Sequence, residues 1–196
     1  MSGLTQTQRS VIWSMATAGA AFAVLVCAVC MLRDPALFKH PHWGLSFYGD
    51  QRQVLLPYYG GLAIIISCFG RITQLLWPLV GPWRPLRGVF LATTLIALGI
   101  GATSSMQGAF LFWTHISFSL ALALLLLPAE VWILHKPGAN WLDYIGAAGL
   151  LAGTVLVNLS ADWSGVLGIY YWAEVVFFLA AFLALGRAAT RAAAGL

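Results

Sequence analysis

VIWSMATAGAAFAVLVCAVCML, residues 11–32, runs for 22 residues without a charged side chain. At about 1.5 Å of rise per residue, such a helix spans roughly the 30 Å of a bilayer's hydrocarbon layer. Outward from it the pattern repeats. Apolar stretches of similar length occupy 55–77, 89–106, 110–134, 141–160 and 165–188. The chain is 61% hydrophobic and 8% charged, with a mean hydropathy of +0.86, whereas soluble domains carry about a quarter charged residues. The sequence predicts an all-α polytopic membrane protein: one domain over 1–196, six transmembrane helices, and an exterior-facing cap connection at about 33–54. Connections after the first are short, so neighbours in sequence should run antiparallel. The first span is too long for a signal-peptide core and ends without a small-x-small cleavage pattern, so it should be retained.

Lys and Arg set the orientation. With the N-terminus inside, Arg9, Arg71, Arg84, Arg87, Lys136, Arg187 and Arg191 are cytoplasmic, against Arg33, Lys39 and Arg52 outside. Both termini are expected in the cytoplasm and the chain in a cell membrane, of the bacterial inner-membrane kind. The net charge of +4 follows from this bias, so no nucleic-acid partner is called for. Trp13, Trp77, Trp83, Trp132, Trp141 and Trp163 fall near span ends, where interfacial tryptophan is favoured. Rows of small residues (Ala16, Ala20, Ala23; Thr93, Ala97, Gly101; Gly146, Gly149, Gly153) allow close helix approach. They serve bundle packing first, and secondarily contact with a second copy or a membrane-complex partner. The two halves share no motif, which argues against an inverted-repeat transporter.

Ionisable groups within lipid need a partner or a task. Glu174 lies about nine residues into the sixth span, with Tyr170 and Tyr171 one turn earlier. A carboxyl held away from water favours its neutral form, which makes Glu174 a candidate proton donor. His115 is expected at a similar depth in the outer half, as is Asn158, so side chains from three helices could form one polar layer. Glu130 and Arg71 approach the inner face, where they could pair. Asn140 and Asp143 read as the cap and first turn of the fifth helix. Cys27 and Cys30 lie one turn apart among apolar residues and read as packing rather than redox groups. Haem is disfavoured because only His115 lies within a span. A metal at His40, His42 and Asp50 would have an incomplete ligand set. No nucleotide-binding loop is present, and no cofactor or metal is expected.

The first connection contains HPHWGLSFYGD, residues 40–50. Pro35 and Pro41 interrupt helix, while Trp43, Phe47 and Tyr48 suit the headgroup region. The segment should fold back over the outer end, turning His40, His42 and Asp50 toward the layer of His115 and Glu174. The order of a first span, a loop ending GLSFYGD, a second span opening LLPYYGG and four further spans resembles six-helix bacterial membrane proteins of unknown function related to the DRAM-type superfamily, through Gly44, Ser46, Tyr48 and Gly49. That resemblance implies a six-helix bundle and a lipid-linked role. LPAEVWIL and WAEVVFFL are similar to motifs of membrane-bound carotenoid and terpenoid cyclases, which implies Glu174 or Glu130 as an acid toward an isoprenoid alkene or epoxide. The match departs in having single carboxylates where those enzymes have an adjacent acidic pair.

The leading expectation is a small polar pocket in the outer half for a membrane lipid or isoprenoid-type ligand. Glu174, His115 and Glu130 are the candidate catalytic residues. Tyr170, Tyr171, Asn158, Trp113, Trp172, His40, His42, Trp43, Tyr48 and Asp50 are candidate contacts. The alternatives are an intramembrane isoprenoid cyclase or isomerase using Glu174, and a passive scaffold subunit.

Overall fold

The computed structural model describes residues 5–38, 45–76, 84–103, 108–135, 138–159 and 169–193. Every regular element among them is helical. In chain order they are α1 (Gln6–Arg33), the four-residue α2 (Pro35–Phe38), a 3-10 helix (Leu45–Asp50), α3 (Leu55–Leu76), α4 (Arg84–Ala102), α5 (Ala109–Leu134), α6 (Trp141–Leu159) and α7 (Ile169–Ala193). Three stretches are long and apolar enough to cross a membrane: Gln6–Arg33, Leu55–Leu75 and Ala109–Pro128. Shorter apolar runs cover Leu91–Ala102 and Trp141–Leu156. Outward faces carry large apolar side chains such as Leu25, Leu56, Leu95, Phe110, Leu124 and Leu151. A surface of that kind is suited to lipid rather than to water.

Local chemistry sets the helix boundaries. The Thr5 hydroxyl accepts from the Gln8 amide and the Gln8 side chain accepts from the Thr5 amide, which closes a capping box on α1. Pro57 falls in the first turn of α3, where an amide would have no intrahelical acceptor. The turn before α6 contains Gly138 at φ 87°, a left-handed conformation open to glycine. Asn140 and Asp143 then cap α6 reciprocally, Leu142 N–H donating to Asn140 Oδ1 and Asn140 N–H to Asp143 Oδ2.

The six long helices pack as a ring in sequence order, α1 against α3, α3 against α4, and so on to α6 against α7, with α7 closing back onto α1. The glycine row of α6 makes the densest seam. A Cβ on Gly149 would lie 2.8 Å from Ala180 Cβ. One on Gly153 would lie 2.8 Å from Phe177 Cβ and 3.0 Å from the Ala173 carbonyl oxygen. This small-residue face is therefore spent inside the chain. Trp13 near the start of α1 donates to Thr190 near the end of α7 at 3.0 Å, so both termini lie at one end of the bundle.

Two cores follow. The larger one joins Ile12, Ile65, Phe69, Ile72, Leu150 and Phe182, with the Phe69 and Phe182 rings 4.4 Å apart. The second, at the end away from the termini, joins Val26, Cys30, Val54 and Tyr58 to Leu45 and Tyr48 of the 3-10 helix. The first connection is thus packed into the bundle as part of its core.

Candidate functional site

The 3-10 helix buries Leu45, Ser46, Tyr48 and Gly49. Tyr48, 1% exposed, clamps it in place by donating its hydroxyl to the Asp34 carbonyl at 3.0 Å. Gln53 donates to Asp34 Oδ2 at 2.8 Å, which fastens the return strand of the same connection. So held, two consecutive residues meet two helices. The Leu45 amide donates to Glu174 Oε2 of α7 at 2.8 Å, and Ser46 Oγ lies 2.7 Å from His115 Nε2 of α5.

The other side of the imidazole fixes its role. His115 Nδ1 lies 3.2 Å from the Ile100 carbonyl oxygen and 3.3 Å from Thr103 Oγ1. The Thr103 hydroxyl donates its hydrogen to the Gly99 carbonyl at 2.7 Å, so toward the ring it can only accept. In the neutral imidazole the proton therefore sits on Nδ1, and Nε2 presents a lone pair to the Ser46 hydroxyl. Ser46 and His115 are 7% and 3% exposed, so bulk water competes little for this bond.

The expected outer layer is assembled in part. His115 and Glu174 come to adjacent residues of the cap, and the place foreseen for a pocket is filled by Leu45 and Ser46. The nearby interior hollow between Leu62, Phe69, Ile100 and Leu122 holds about 10 Å³, no more than one water. Asp50 is half-buried at the far end of the 3-10 helix, within electrostatic range of Tyr59. Trp113 and Trp172 are 64% and 52% exposed and face outward. Trp113, with Phe110, Thr114, Ser117 and Phe118, lines an open groove along α5. His40, His42 and Trp43 lie outside the described residues, as do the side chains of Asn158, Tyr170 and Tyr171.

Glu130 belongs to a second cluster near the opposite end. Arg187 donates to both oxygens of Asp143 at 2.9 and 2.8 Å. Arg191 approaches the same carboxylate at 4.0 Å. Glu130, 3% exposed, lies within electrostatic range of all three. Its Oε1 has no hydrogen-bond partner among the described residues. The pairing of Glu130 with Arg71 does not form: Arg71 is exposed and bonds Gln74 one turn away. Arg187 lies thirteen positions after Glu174 on α7, about 20 Å along the helix, so the two carboxylates that resembled cyclase acids serve separate clusters.

Sequence reasoning singled out His115 and Glu174 and missed their partners. Ser46 was visible only as one letter of a short motif. Its signal was position: a hydroxyl in the connection that had to cover the end where His115 was expected. The Asp143–Arg187 pair had a readable signal too, opposite charges at the adjoining ends of consecutive helices. Compared with family models, curated proteins and solved structures, the chain has no match in any of the three.

Proposed function

We propose that the protein is a six-span membrane protein with both termini in the cytoplasm, and that its outer half binds a lipid or isoprenoid-type ligand where the 3-10 helix is seated. The inside excess of Arg and Lys and the common end shared by the termini support this orientation. One observation carries the ligand reading. His115 of α5 and Glu174 of α7 turn acceptors toward one spot, and the groups that satisfy them, Ser46 Oγ and the Leu45 amide, come from a segment outside the helical ring. A lipid headgroup bearing hydroxyl or N–H donors offers the same two hydrogen bonds, and its chains would extend along the apolar faces of α5 and α7.

The test is native mass spectrometry of protein released from nanodiscs, with identification of the lipid that stays bound. Wild type should retain a stoichiometric lipid with a hydroxylated or amine-bearing head, and Glu174→Ala and His115→Ala, which remove the two acceptors, should lose it. Equal retention of bulk phospholipid by all three would end the ligand reading and leave the scaffold role.

A further inference from the structure

Ser46 spends its hydroxyl unlike its counterparts within the helices. Ser67, Thr93, Thr114 and Thr190 each donate to a carbonyl four residues earlier, the local bond that satisfies a hydroxyl in apolar surroundings. Ser46 instead meets a ring nitrogen 69 residues away in sequence, at 2.7 Å. That ring is oriented from behind by the Ile100 carbonyl and the Thr103 hydroxyl. A hydroxyl, a bare imidazole nitrogen at hydrogen-bond distance, and an acceptor fixing the tautomer make up the arrangement that activates a serine nucleophile.

We propose that Ser46 and His115 form a nucleophile and general-base pair that cleaves a carboxylic ester of a membrane lipid. The proposal rests on the lipid reading above for its substrate class alone: the reacting ester lies beside the seated 3-10 helix and does not take the place of Ser46 on His115. Ser46 Oγ bonds to the ester carbonyl carbon as its proton passes to His115 Nε2. The bond from that carbon to the alcohol oxygen then breaks, and the alcohol leaves with the proton from His115. Water next attacks the Ser46 ester, again giving its proton to His115, and the fatty acid departs as Ser46 regains its hydrogen. No oxidant, reductant or metal enters the balance. The partner behind His115 is a carbonyl and a hydroxyl where faster serine hydrolases use a carboxylate, so the imidazolium is less stabilised and turnover should be slow. Both residues are buried and Ser46 moves with the 3-10 helix, so the ester must reach them with that helix still seated against His115, by displacing the apolar side chains packed beside the pair.

The experiment is intact-protein mass spectrometry after exposure to a long-chain fluorophosphonate in liposomes and in detergent, with the adduct mapped by proteolysis. Wild type should gain one adduct, on Ser46. Ser46→Ala should gain none. His115→Gln, which keeps a side chain able to bond Ser46, should label at least about 100-fold more slowly while its melting transition stays near that of wild type. No adduct on folded wild type in either medium, or equal labelling of His115→Gln, overturns the pair as a catalytic device. The lipid-retention measurement separates the two readings. Absence of the adduct with lipid still retained through Glu174 removes the chemistry alone, whereas an adduct without lipid retention removes the ligand reading alone.

Discussion

The end of this bundle covered by the 3-10 helix and the end that carries the termini, outer and inner in the proposed orientation, both bury polar groups between helices, and they do so by opposite means. At the inner end, two guanidinium groups and two carboxylates from α5, α6 and α7 are gathered into one charged cluster. At the outer end, helices α5 and α7 present an imidazole and a carboxyl whose bonds are completed by an amide and a hydroxyl of the inserted 3-10 helix. A buried ion pair is costly to separate, since either partner left alone keeps its charge away from water. Single hydrogen bonds to a short segment can be traded for equivalent bonds to another molecule at little net cost. The inner end is therefore a lock, and the outer end is where the proposed ligand would exchange with the 3-10 helix.

The sharpest way to break that contrast is Arg187→Ala, which takes both guanidinium bonds from the buried Asp143 carboxylate, leaves it the Asn140 amide and the more distant Arg191, and should cost about 3 kcal/mol, read as a large drop of the melting transition in detergent. The double change Asp143→Leu with Arg187→Met should recover only part of the loss, because it removes the uncompensated charge but also the Asp143 bond to the Asn140 amide and the carboxylate that faces Arg191. Gly153→Leu comes next: the side chain must displace Phe177 or part α6 from α7, at about 2–3 kcal/mol, without altering exchange at the cap. At the outer end, Ser46→Ala leaves His115 Nε2 buried without its donor and should cost about 1–2 kcal/mol. That loss should appear as faster amide hydrogen exchange over 45–54, with the rest of the bundle protected. Glu174→Gln still accepts from the Leu45 amide through its carbonyl oxygen, so its stability cost should stay below about 1 kcal/mol. Arg71→Ala, on an exposed side chain bonded along its own helix among the described residues, should remain within about 0.5 kcal/mol of wild type. If Ser46→Ala destabilised the chain as much as Arg187→Ala, the outer end would be a lock as well, and the exchange reading would fail.

Much of the fold was legible along the chain. Apolar run length located the long helices to within a few residues, as with 141–160 against Trp141–Leu159, because the backbone must satisfy its own hydrogen bonds wherever water is absent. The glycine row of α6 and the Asn140 and Asp143 cap were readable for the same reason: both depend on near neighbours in sequence. The site was half legible. His115 and Glu174 stood out because ionisable groups are rare in such runs. Ser46 did not stand out, because serine in a loop is common and its meaning here comes from what it touches.

The sequence by itself determined that the chain is a set of apolar helices with a polar first connection, and it marked which buried side chains would need partners. Only the tertiary structure decided who those partners are. Leu45 meets Glu174 across 129 residues, and Arg187 meets Asp143 across 44. Such pairings depend on how the helices close into a ring and on how deeply the first connection sinks between them. Both are settled by the packing of many side chains at once, which no local pattern encodes.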